Sequence, residues 1–110
     1  FRNAIRCERD DCKFRRLEID QPGSDYRRAL EINADNAYVS GGTFETTHHP
    51  IVVNGTGAWI ESTHIESYES YEALRLNDSS ADVGVKENTL VGGVLDVGCD
   101  GLSMYDNEVM

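Results

Sequence analysis

The stretch LEINADNAYV, residues 30–39, decides how the chain is read. Leu30 and Ile32 alternate, Asn33 interrupts them, and Ala37 and Val39 resume the alternation. The run is too short for an amphipathic helix and too interrupted for one long strand. It reads as two short strands joined by a turn, with alternate side chains on one face. The same spacing recurs. Ile51, Val53, Asn54, Ala58 and Ile60 repeat it, and so do Leu74, Leu76, Asn77, Ala81 and Val83. Leu95, Val97, Gly98, Leu102 and Met104 form a further copy, and Ile5, Cys7, Glu8, Cys12 and Phe14 an earlier one. Self-similarity at a period of 20–50 residues is the mark of a solenoid.

Each copy continues to a later apolar residue: Ile19, Phe44, Ile65, Leu90 and Val109. Two residues before it stands a second turn position: Gly42, Thr63, Asn88 and Asn107, with Leu17 as the exception. The fourth copy carries two extra residues, so Val83 and Val85 are both expected to face inward. A chain that coils around an axis must bend between its strands, and Asn and Gly tolerate the left-handed backbone such bends need. Asn33, Asn54 and Asn77 are therefore expected to stack, with Gly98 next in line. Stacked amides can hydrogen-bond along the axis.

These five spaced copies resemble the right-handed parallel β-helix of the pectate lyase-like superfamily and of many phage tailspikes. The expected fold is all-β, a right-handed single-stranded parallel β-helix of about five coils with an Asn turn ladder. Residues 1–110 read as a single domain, expected to be a segment of a larger protein. The fold hosts many functions and does not by itself choose one.

Twenty acidic residues face ten basic ones, for a net charge of −10, and only Lys13 and Lys86 of the basic residues are lysines. This acidic, lysine-poor composition resembles proteins of extreme halophiles. It argues against nonspecific nucleic-acid binding and against anionic membranes. No apolar run approaches a membrane-spanning length. Cys7 and Cys12 fall on core ladders, as packed thiols or as a bridge across the turn, and Cys99 is left over.

Candidate sites follow from the outward positions. Between the last two core residues of each copy lie Lys13, Tyr38, Trp59, Asp82 and Ser103. Tyr38 and Trp59 are expected to be exposed neighbours on adjacent coils, with Arg15, Ser40 and Glu61 two residues on. Aromatic faces with polar edges suit the C–H faces of sugars, so Tyr38, Trp59 and Glu61 form the expected ligand site. After the later apolar residue comes an acidic ladder of Asp20, Glu45 and Glu66. Adjacent outward carboxylates repel; they read as a hydrated acidic face with no cofactor, calcium being the hard cation such an oxygen cluster would suit. Paired carboxylates can also hydrolyse glycosidic bonds. The resemblance implies an acidic calcium site with a basic proton-abstracting residue, and no matching arginine or lysine motif stands beside these acids. His48, His49 and His64 show no shared metal-ligand spacing and read as loop residues. Two irregular connections, residues 20–26 and 66–73, are loop candidates for binding. Asn54-Gly55-Thr56 and Asn77-Asp78-Ser79 match the glycosylation pattern, but both asparagines belong to the ladder.

Two functional classes fit these features. One is a non-catalytic segment of an extracellular, cell-surface or virion protein of spike, fibre or turret type. It would display a rigid face to a glycan or protein partner, and a trimer is common in the resembled family. The alternative is a polysaccharide lyase or glycoside hydrolase using Asp20, Glu45 and Glu66.

Overall fold

The computed structural model describes residues 2–21, 26–68 and 71–110. The fold is an all-β parallel solenoid of about five coils, with no helix among the described residues. The first coil holds β1 (Arg2–Cys7), β2 (Lys13–Arg15) and β3 (Glu18–Gln21). The second holds β4 (Tyr26–Ile32), β5 (Tyr38–Ser40) and β6 (Thr43–Thr46). The third holds β7 (Ile51–Val53), β8 (Trp59–Glu61) and β9 (His64–Ser67). The fourth holds β10 (Leu74–Leu76), β11 (Ala81–Lys86) and β12 (Thr89–Val91). The fifth holds β13 (Val94–Asp96), β14 (Asp100–Tyr105) and β15 (Glu108–Val109). Every third strand pairs in parallel, which gives three five-stranded sheets.

The core is built from columns of like residues. Ile19, Phe44, Ile65, Leu90 and Val109 stand in register in the third sheet. Ile5, Leu30, Ile51 and Leu74 do so in the first. The central coils seal these columns, while the last leaves Val109 exposed, as it does Met104 in the second sheet. Cys7 and Cys12 are joined by a disulfide across the first corner, with Cα atoms 6.2 Å apart, and Cys99 is free.

The asparagine ladder is present along the first corner. Asn33 Nδ2 donates to Glu8 Oε1 at 2.9 Å, Asn54 Nδ2 to Asn33 Oδ1 at 2.7 Å, and Asn77 Nδ2 to Asn54 Oδ1 at 2.5 Å. The backbone explanation for it needs correction. None of the three ladder asparagines takes a left-handed φ. The left-handed column lies three to five residues later, at Asp11, Asn36, Gly57, Asp82 and Gly101. The second corner has its own column at Arg16, Gly41, Ser62, Glu87 and Asp106. The corners are bent there, and the asparagines instead serve as hydrogen-bonding struts. A shorter amide ladder follows the second column. Asn88 Oδ1 accepts from Thr63 N, and Asn107 Oδ1 accepts from both Asn88 N and Asn88 Nδ2.

Gly98 does not continue the first ladder. Leu74 pairs with Val94 and Leu76 with Asp96, so the fifth copy sits one residue earlier than its apolar pattern suggests. Val97 takes the ladder position: its N–H donates to Leu76 O, as those of Asn33, Asn54 and Asn77 do to the coil before. Val97 is 47% exposed rather than in the core. Gly98 instead lies against Asp78. A one-residue slip turns every side chain to the opposite face. The Gly92–Gly93 connection, where the Gly93 carbonyl accepts from Ala73 and Leu74, holds the register.

Substituting Asn54 by leucine is expected to lower stability by about 2 kcal/mol, through one lost hydrogen bond on each side and two partners left poorly paired. Denaturant titration checks this against Ser79→Ala, an exposed position expected to lie within about 0.5 kcal/mol of wild type. Glu31 is no neutral control: it is half-buried, pairs with Arg28 and accepts from Asn33 Nδ2. Burial alone would raise its pKa, but Asn33 and Arg28 together hold it below the usual value.

Candidate functional site

Two outward faces concentrate chemistry. The first is that of the second sheet. Lys13, Tyr38 and Trp59 stand in register on β2, β5 and β8. Gly84, not Asp82, follows Trp59, because the two extra residues of the fourth coil precede that position. The change matters, since the Trp59 ring covers the bare Gly84 backbone. A Cβ at Gly84 would lie 2.1 Å from Trp59 Cε3 and 2.3 Å from Cζ3. The glycine lets the indole lie close on the sheet. Arg15, Ser40, Glu61, Lys86 and Tyr105 form the parallel outward row. Tyr38 Oη hydrogen-bonds Glu61 Oε1, which fixes one ring of the expected pair.

Open hollows line this face. One, of about 480 Å³, is bounded by Arg15, Arg16, Tyr38, Ser40, Gly41 and Ser62. Trp59 and Tyr105 together border two more, of about 230 and 380 Å³. Tyr105 was absent from the expected site. It lies on the last coil, one strand beyond the neighbour of Trp59, and only the register of β14 places it there.

The second face is that of the third sheet. Asp20, Glu45 and Glu66 stand in register on β3, β6 and β9. Tyr68 Oη lies 2.6 Å from Asp20 Oδ1 and 2.5 Å from Glu45 Oε2. These hydrogen bonds to two carboxylates push the Tyr68 phenol above its ordinary range. His64 opens β9 and shares the outward face with Glu66, two residues on. Its Nε2 lies 3.1 Å from Glu66 Oε1 and 3.6 Å from Glu45 Oε1. Reading His64 as a loop residue missed this. The usable signal was the period-2 run His64-Ile65-Glu66, with Ile65 in the core.

No family model, curated protein or solved structure matches this chain.

The remaining histidines lie apart from both faces. His48 stacks on Tyr71 with ring centroids 4.1 Å apart, and His49 Nε2 lies 3.3 Å from Glu72 Oε1. Burial lowers the His49 pKa. This pairing ties residues 71–72 back to the corner before β7. Of the two irregular connections, residues 22–25 and 69–70 lie outside the described residues.

Proposed function

We propose that the chain is a rigid, non-catalytic display element whose second-sheet face binds a glycan. The observation that carries this reading is Trp59 laid over Gly84, between Tyr38 in register and the hollows it shares with Tyr105. A ring held close on a sheet presents an apolar platform whose ordering cost is met on folding. Polar groups for sugar hydroxyls stand around it: Arg15, Ser40, Glu61 and Lys86. The Cys7–Cys12 disulfide fits an oxidising environment. The parent would be an extracellular, cell-surface or virion protein of spike, fibre or turret type, and a trimer is one assembly that would repeat the face.

The alternative, a polysaccharide lyase or hydrolase of the pectate lyase-like kind, draws on Asp20, Glu45 and Glu66. Those carboxylates lie on a different sheet from Trp59, beyond the Ser62–Thr63 corner. A sugar stacked on the indole is not thereby placed against an acid–base pair, which catalysis requires.

A panel of acidic and neutral polysaccharides, followed for retention and for chain shortening, tests this. Retention without shortening is expected. Trp59→Ala should weaken it about thirtyfold, the roughly 2 kcal/mol of a binding hot spot, and Glu66→Gln should leave it unchanged. Chain shortening that disappears in Glu66→Gln would replace this reading with the enzymatic one.

A further inference from the structure

We propose that Glu45, His64 and Glu66 bind a first-row transition-metal ion of the zinc type on the outer face of the third sheet. The three donor atoms lie within 4.8 Å of one another. They come from β6 and β9, two strands locked in parallel register, so the set is built on the rigid body of the solenoid. The imidazole carries the assignment. Carboxylates alone would suit calcium, which takes oxygen ligands, but a neutral imidazole nitrogen beside two carboxylates is a zinc-type donor set. Spacing agrees. Bonds of about 2.1 Å at tetrahedral angles place ligand atoms about 3.4 Å apart. The His64 Nε2 distances to Glu66 Oε1 and Glu45 Oε1, 3.1 and 3.6 Å, bracket that value.

The surroundings support one arrangement of Glu45. Its Oε2 is held by the Tyr68 hydroxyl, which leaves Oε1 turned toward His64. Tyr68 is thus a positioning residue that orients a ligand without touching the ion. Three protein ligands leave room for water or a partner's side chain in a fourth position. A site of this kind on an outward face could join copies or a partner through a shared ion. It stands independently of glycan binding, being on another sheet.

The test is titration with zinc chloride and, separately, calcium chloride, followed by calorimetry and thermal melting. The wild type is expected to bind one zinc per chain, with a raised melting temperature and no response to calcium. His64→Ala and Glu66→Gln should each lose more than the ~10–100-fold typical of changes behind the ligands. Both side chains are about one-third exposed, so the metal-free variants should melt close to wild type. Tyr68→Phe should keep one ion per chain but weaken it about tenfold. Zinc binding that is absent in the wild type, or undiminished in His64→Ala, overturns the assignment. So does calcium binding of equal strength, which would make this an acidic cluster alone.

Discussion

Replacing Phe44 by alanine is expected to cost about 3–5 kcal/mol, the usual loss on emptying a buried phenylalanine site. Phe44 is fully buried in the second coil, stacked between Ile19 below and Ile65 above. The cavity cannot close easily. Parallel strand pairing fixes the coils at ~4.8 Å, and β6 is paired on both sides. In a solenoid each coil leans only on its neighbours, so a defect in an inner coil weakens its contacts with both coils that flank it. Against a total of about 5–15 kcal/mol for a domain of this size, that is a large share of the stability. Leu102→Ala is the comparison, since Leu102 is half-buried on the end coil and has a neighbour on one side only. Denaturant midpoints for the two variants measure the difference. Equal shifts would mean that the inner coils relax as freely as the end one.

The column that holds Phe44 was legible because strand alternation and a fixed period act together. Ile19, Phe44, Ile65, Leu90 and Val109 keep one spacing from the turn before them, and around Phe44 the flanking residues Thr43 and Glu45 offer no second register. The fifth copy fails on that point. Val94, Leu95 and Val97 allow two registers one residue apart, and the apolar pattern favours the wrong one. The structure buries neither well: Asp96 occupies a column of core residues and Val97 faces solvent. The glycine connection before β13, whose Gly93 carbonyl accepts from Ala73 and Leu74, decides between the two registers. The corners were legible as corners but not in mechanism. Stacked asparagines draw attention, while the two left-handed columns include Arg16, Ser62 and Glu87, which no turn code singles out.

The sites divide in the same way. Tyr38 beside Trp59 follows from period and register alone. Glu45 above Asp20 and below Glu66 follows likewise. Gly84 beneath Trp59 does not, because the inserted residues of the fourth coil could be absorbed before or after that strand. Tyr68 does not either, since it lies past the end of β9 and reaches the acids by folding back over two coils. Long side chains from irregular segments carry no period, and nothing in one sequence marks where they return.

Gly55→Ala is expected to destabilise the chain by about 3 kcal/mol or more, although alanine is the smallest possible addition. A Cβ at Gly55 would lie 1.9 Å from Ala34 O and 2.7 Å from Ala34 C. Both atoms are backbone, so no rotamer change relieves the contact and the second and third coils must part at this corner. Overpacking of this kind typically costs 1–3 kcal/mol. The separation also stretches the hydrogen bonds that tie the corner. Asn54 N donates to Ile32 O at 2.7 Å, and Asn36 N donates to Thr56 O at 2.8 Å. Thr56 N donates to Asp35 Oδ1 at 3.0 Å, and the Asn54–Asn33 amide contact lies beside them. Each such bond is worth about 1 kcal/mol. The Asn54-Gly55-Thr56 motif, which reads as a glycosylation signal, is thus explained by close approach of two coils and by an amide occupied on both sides. Thermal melting of Gly55→Ala beside Thr56→Ala measures the effect. At ~4 °C per kcal/mol for a chain of this length, the glycine variant should fall by about 12 °C while the exposed threonine barely moves. A glycine variant that melts with the wild type would mean that the coils do not meet backbone to backbone at Ala34.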